Sequence, residues 1–130
     1  MSVRIVRLGS PRMAGEGLRI GTVRRPPRGV RKSDHAAGNW YDVWYPELAP
    51  STELVAMALA DASPEGFAAF RRAYLREMRE PPAARTLDLL AALSHSADFS
   101  VGCYCADENR CHRSILRVLL AERGAKLRNG

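Results

Sequence analysis

The chain has almost no lysine. Lys32 and Lys126 stand alone among 20 basic residues, so arginine carries nearly all the positive charge of a chain whose net charge is +6. Arginine's planar fork pairs bidentately with carboxylate and phosphate. The balance therefore permits an anionic partner, nucleic acid included, and it equally fits a basic, soluble surface. Long apolar runs are missing as well. Nothing approaches the roughly 18–20 residues of a membrane span, and Met1-Ser2-Val3-Arg4-Ile5-Val6-Arg7 lacks the longer apolar core of a signal peptide. The expected setting is the cytoplasm, with no membrane partner. Cysteine is scarce: three residues, an odd number, make a poor disulfide framework. In a reducing compartment they read as thiols, metal ligands or core residues. No glycine-rich nucleotide loop is present, so no dinucleotide or other cofactor is expected. Repeats, low-complexity tracts and domain boundaries are also lacking.

What is there suits one domain over residues 1–130, with 46% apolar and 26% charged residues. Val3 to Leu8 alternates apolar and basic residues and reads as a strand, ended by Gly9-Ser10-Pro11. Leu18 to Val23 reads as a second strand. The run Arg24-Arg25-Pro26-Pro27-Arg28-Gly29-Val30-Arg31-Lys32 excludes a regular helix or central strand. A long basic and aromatic loop is thus expected over 24–50. It holds both tryptophans, Trp40 and Trp44, with Tyr41 and Tyr45, and is expected to be packed.

Ser51 and Ser63 each read as the N-cap of a helix, the second with Pro64 at its first position. Phe67, Phe70, Tyr74, Leu75 and Met78 then form one helical face, and Pro81-Pro82 is expected to stop it. A third helix carries Leu87, Leu90 and Leu93 to about Ser94. Phe99, Val101 and Cys103 alternate as a buried strand, and Ile115, Leu116, Leu119 and Leu120 define a last helix closed by Gly124. The order points to a small single-domain α/β protein with a partly parallel sheet flanked by helices.

All three cysteines and one of the three histidines fall within ten residues, Cys103 to His112. This run joins a strand end to a helix start, where α/β proteins commonly place their chemistry. Asn109 is expected to cap the last helix and put Arg110, Cys111 and His112 in its first turn. Unpaired amides and the positive end of the helix dipole would then lower the pKa of a solvent-accessible Cys111 thiol, or hold a phosphate or carboxylate. Three readings compete. In the first, Cys111, His112 and Arg113 form a reactive or anion-binding site, with Arg110 adding charge. In the second, Cys103, Cys105, Cys111 and His112 bind zinc as a three-sulfur, one-imidazole set. Against it, the spacing lacks the usual paired knuckles, and adjacent residues on a helix point about 100° apart. In the third, the cysteines are core residues, Cys103 above all.

The Cys-x5-Arg spacing of Cys111 and Arg117 matches that of cysteine phosphatases. Those enzymes need the five residues as a phosphate-wrapping loop, and here they read as helix. His35 reads as solvated and His95 as a helix-ending residue. Asp107-Glu108 reads as favourable charge near a helix start.

Several segments together carry a resemblance. Leu18-Arg19-Ile20, Pro27-Arg28-Gly29-Val30 and Trp44-Tyr45-Pro46-Glu47-Leu48-Ala49-Pro50-Ser51, with Phe70 and Tyr74, resemble the YeaO-like proteins. These are small bacterial proteins within a broad domain-of-unknown-function superfamily (number four hundred and eighty-eight). Cys105-Ala106-Asp107-Glu108 with Cys111-His112-Arg113 is similar to the Cys-His-Arg signature of the wider superfamily. The resemblance spans roughly residues 15–125 and implies an α/β fold and a site, without an activity. The chain departs from the YeaO-like pattern in two places. Val23 stands where that pattern has Asp, and Pro26 replaces its tryptophan, while Arg24 is kept. YeaO-like members also commonly lack the Cys-His-Arg run, which marks this chain as an intermediate branch.

If the strand ending near Val23 neighbours the strand ending near Cys105, then Arg24 and Arg28 face Cys111, His112 and Arg113 across one pocket. The expected function is binding of, or action on, a small phosphorylated or carboxylated ligand there. The alternatives are a nucleic-acid-binding module, using the basic run and the aromatic loop, and a protein-interaction module without catalysis. The sequence leaves enzyme or binder, and the oligomeric state, open.

Overall fold

A computed structural model of the chain describes residues 1–129. Strand β1 (Val3–Arg7) is followed by β2 (Leu18–Gly21) and the short β3 (Val43–Trp44). Three helices come next: α1 (Thr52–Ala60), α2 (Pro64–Met78) and α3 (Pro81–Leu93). Strand β4 (Phe99–Cys103), helix α4 (His112–Glu122) and the short β5 (Leu127–Arg128) complete the chain. The sheet order is β3-β2-β4-β1-β5, and every described pair is parallel. The α/β expectation holds, and the sheet is parallel throughout rather than in part.

Strand alternation sorts side chains between two faces. Val3, Ile20, Phe99 and Val101 meet Leu54, Phe70, Tyr74, Leu87, Ile115 and Leu116 in one core to which all four helices contribute. The opposite face carries Arg19 and Ser100, covered by Glu16 from the segment between β1 and β2. Tyr41 covers Gly21, where an added Cβ would lie 2.4 Å from the Tyr41 ring. The long loop is therefore packed, as expected. Tyr41 is buried and Trp44 donates from Nε1 to Val23 O at 2.8 Å, although its ring is exposed.

Both serine caps form. Ser51 Oγ accepts from Leu54 N at 3.3 Å and Ser63 Oγ from Gly66 N at 3.0 Å. Replacing Ser63 by Ala is expected to lower stability by about 1 kcal/mol, read from urea unfolding; an unchanged midpoint would deny the cap its role. One expectation is corrected. Pro81-Pro82 does not merely stop α2 but opens α3, with Glu80 at its N-cap. A first-turn N–H has no intrahelical partner, so proline loses nothing there. Strands β3 and β5 were not expected, because two residues carry no periodicity to read.

Candidate functional site

Because β1, β2 and β4 run parallel, their C-terminal ends share one edge, where α/β sheets present their ligand crevices. Leu8, Val23 and Cys103 meet there, joined by Tyr41 and Cys111 in a second apolar cluster. Strands β2 and β4 are direct neighbours. The chain after Cys103 turns through a single 3-10 turn, Glu108–Arg110, before α4 begins.

That turn changes the expected helix start. Asn109 does not cap α4 but lies inside the 3-10 turn, which Asp107 caps by accepting from Asn109 N at 2.9 Å. Arg110 lies in the 3-10 turn and donates to Ala62 O at 2.7 Å. Cys111 is itself the N-cap of α4, with extended φ −135° and ψ 154°. The extended backbone removes the angular separation that two adjacent helical residues would have. Cys111 Sγ therefore lies 3.6 Å from His112 Nδ1.

The imidazole's proton is assigned by its other partner. His112 Nε2 is 2.7 Å from Thr22 O, and a carbonyl only accepts, so Nε2 carries the hydrogen. Thr22 Oγ1 is 3.2 Å from the same nitrogen. Nδ1 is left as a bare lone pair among the sulfurs. Burial drives the imidazole pKa down to about 4, against the pull of the Thr22 carbonyl, so the ring is neutral near pH 7.

The donor atoms of Cys103, Cys111 and His112 all lie within 4.8 Å of one another. Cys105 is not part of this close trio, but it lines the same cleft as Cys103 and Cys111. Here a second expectation is corrected. The Cys111 thiol is not solvent-accessible: the residue is 3% exposed and Cys103 is 2% exposed, whereas Cys105 is exposed. Strand geometry seals Cys103 against the core edge, and the N-cap position folds Cys111 beneath the turn. The neighbouring thiols of Cys103 and Cys111, with the positive field of Arg113, hold the Cys105 thiol well below its ordinary value. Cys103 is pushed up, first by the Cys105 thiol, then by that of Cys111 and by burial.

Arg113 is 4% exposed. Its guanidinium donates from Nη2 to Cys105 O, while Nε has no hydrogen-bond partner. No carboxylate forms an ion pair with it among the described residues. A buried cation of this kind needs a counter-charge, and the sulfurs are the groups placed to supply one.

Above this floor opens a cleft of about 1080 Å³. Arg24, Arg28 and Arg110, expected at the site, all border it, together with Arg7 and Arg25. No aspartate or glutamate lines it. Arg24 spends its guanidinium on the carbonyls of Pro46, Ala49 and Pro50, at 3.0–3.2 Å, so it holds the loop to α1 as well as bordering the cleft. The rest of the wall is apolar and aromatic, from Trp40, Val55, Leu59, Phe70 and Tyr104. Trp40 and Tyr104 meet edge-to-face at 6.0 Å. Sequence reasoning did not single out Arg7, Thr22 or Tyr104. Thr22 and Tyr104 directly follow strands, and that position was the signal available for them.

The remaining candidates are occupied elsewhere. Arg117 forms a bidentate pair with Glu108 at 2.7 and 3.0 Å, and residues 112–116 are helical, which rules out a phosphatase loop. His35 is buried against Tyr41, ring centroids 5.0 Å apart, rather than solvated. His95 Nε2 is 2.8 Å from Gly124 O, fastening the end of α3 to the turn after α4.

A model of the family DUF488-N3a, described as the active DUF488-N3 subclade, matches residues 3–124. The chain belongs to this family, which bears out the superfamily resemblance read from the sequence; the finer YeaO-like placement is a separate matter. No curated protein and no solved structure matches the chain.

Proposed function

We propose that this member of the active DUF488-N3 subclade binds a small phosphorylated or carboxylated ligand in the cleft and acts on it over a floor of Cys111 and His112, with Arg113 buried beside them. One observation carries the reading. Five arginines and no carboxylate border a cleft whose floor holds buried thiols and a neutral imidazole. Guanidinium groups recognise oxyanions bidentately, and apolar walls strengthen that attraction by excluding water. Arg28 and Arg110, with Arg7 and Arg25, take the charged end, and Arg24 keeps the loop in place. Trp40 and Tyr104 offer rings for an apolar or planar part of the ligand. We place the protein in the cytoplasm, where its three cysteines stay reduced; none is in a disulfide. No helix of the described residues is long and apolar enough to cross a membrane.

Phenyl phosphate and benzoate, titrated calorimetrically at low salt, test the reading. Binding is expected for at least one of them, weakening as salt rises. Arg28→Ala is expected to weaken it about tenfold, equivalent to about 1.4 kcal/mol. Failure of both probes to bind at millimolar concentration would reject the small-anion reading. Tight, steeply salt-dependent binding of single-stranded nucleic acid in their place would move the function to the nucleic-acid class.

A further inference from the structure

We infer that Cys103, Cys105, Cys111 and His112 form a binding site for a thiophilic divalent cation, with zinc the expected ion. Nothing about the anion cleft is needed for this.

The geometry comes first. Three donor atoms from β4, the N-cap of α4 and its first residue lie within 4.8 Å of one another, although Cys103 and Cys111 are eight positions apart in sequence. Tetrahedral zinc, with bonds of about 2.3 Å to sulfur and about 2.0–2.1 Å to nitrogen, gathers its ligands over a span of that order. Cys105 stands outside that trio, but it is exposed and lines the cleft beside Cys103 and Cys111, so it supplies the fourth donor from the cleft side.

The imidazole is already arranged as a ligand. Metal-bound histidines characteristically donate their second ring N–H to a carbonyl or carboxylate, which fixes tautomer and ring orientation. His112 does so through Nε2 to Thr22 O at 2.7 Å, and its bare Nδ1 lies 3.6 Å from Cys111 Sγ. The objection from sequence, that adjacent Cys111 and His112 diverge on a helix, fails because Cys111 is extended.

Charge supplies an independent observation. Arg113 is buried directly after His112, no carboxylate pairs with it among the described residues, and its Nε has no hydrogen-bond partner. Three thiolates around a dication leave one net negative charge, which this guanidinium neutralises. On loading, the three thiols release their protons to solvent and the imidazole stays neutral. No oxidant or reductant is involved.

The test uses the reduced full-length chain, stripped with chelator and titrated anaerobically with cobalt(II), then with zinc. One cobalt per chain is expected, with the intense visible absorption of a tetrahedral thiolate complex, bleached on adding zinc. Zinc should also protect the cysteines from alkylation. Cys105→Ser, at an exposed position, is expected to fold normally, to bind cobalt at least tenfold more weakly and to shift the absorption. Absence of a tetrahedral spectrum in the fully reduced wild-type chain would overturn the inference. A spectrum and affinity unchanged by Cys105→Ser would overturn the four-ligand assignment. The metal-free chain retains every cleft arginine, so the phenyl phosphate titration succeeds or fails separately.

Discussion

Replacing Glu16 by Gln is expected to cost roughly 3–5 kcal/mol of folding free energy, because it strands a buried guanidinium. Arg19 and Glu16 are almost completely shielded, with side chains 0% and 1% exposed. Arg19 donates to both Glu16 oxygens at 2.8 and 2.9 Å, and to the carbonyls of Ser10 and Asn39 at 2.9 and 2.8 Å. Glu16 also accepts from Ser100 Oγ at 2.8 Å and Met13 N at 3.1 Å. One carboxylate thus ties β2 to β4, the two strands whose ends carry the site. Gln keeps the shape and loses the charge, and its amide puts a donor where an acceptor stood.

The same group sets a pH dependence. Burial alone would raise the Glu16 carboxyl, but the Arg19 and Ser100 hydrogen bonds and the Met13 amide outweigh it and bring it from 4.5 down to about 2. A depressed pKa contributes stability that is complete above the unfolded value and drains away as the pH falls toward the folded one. The wild-type chain should therefore lose about 3 kcal/mol between about pH 4.5 and 2 through this carboxyl. Urea unfolding of wild type and Glu16→Gln at pH 7 and pH 3 measures both effects. Equal acid sensitivity in the two proteins would show that Glu16 is not the group responsible.

Gly17→Ala is expected to be worse still, at about 4 kcal/mol or more, enough to leave little folded protein. Gly17 has φ +76°, and a Cβ there would lie 1.9 Å from Asp98 O and 2.6 Å from its carbonyl carbon. These are backbone atoms with no freedom to swing aside. Asp98 is itself anchored, its carboxylate accepting from Ser2 N at 3.0 Å at the start of β1. The control is Gly15, which has φ +73° and nothing within 4 Å. Gly15→Ala carries only the left-handed backbone penalty, about 1–2 kcal/mol. If the two substitutions cost the same in urea unfolding, the Asp98 contact is not what makes position 17 special.

How much was legible follows from the range of each interaction. The helical face of Phe67, Phe70, Tyr74, Leu75 and Met78 and the alternation of Phe99, Val101 and Cys103 were readable, because burial repeats at the local period. The serine caps were readable for the same reason, each contact spanning three residues. The cap of α4 was misread. Cys111 holds that position instead of Asn109, because Asp107 opens a separate 3-10 turn that Arg110 anchors to Ala62, 48 positions away. The tautomer of His112 was invisible too, since Thr22, whose carbonyl accepts from Nε2, lies 90 positions from it.

By itself the sequence determined the class of fold and the gathering of cysteine, histidine and arginine between the fourth strand and the last helix. Those properties follow from local periodicity and from which donors the chain owns. Tertiary structure decided that β2 lies beside β4, that Cys105 rather than Cys111 faces solvent, that His112 Nδ1 points at sulfur, and that the arginine-lined cleft contains no acid. Each of these depends on strand neighbours and on partners dozens of residues away, and no local pattern encodes which distant backbone will come to rest against a given side chain.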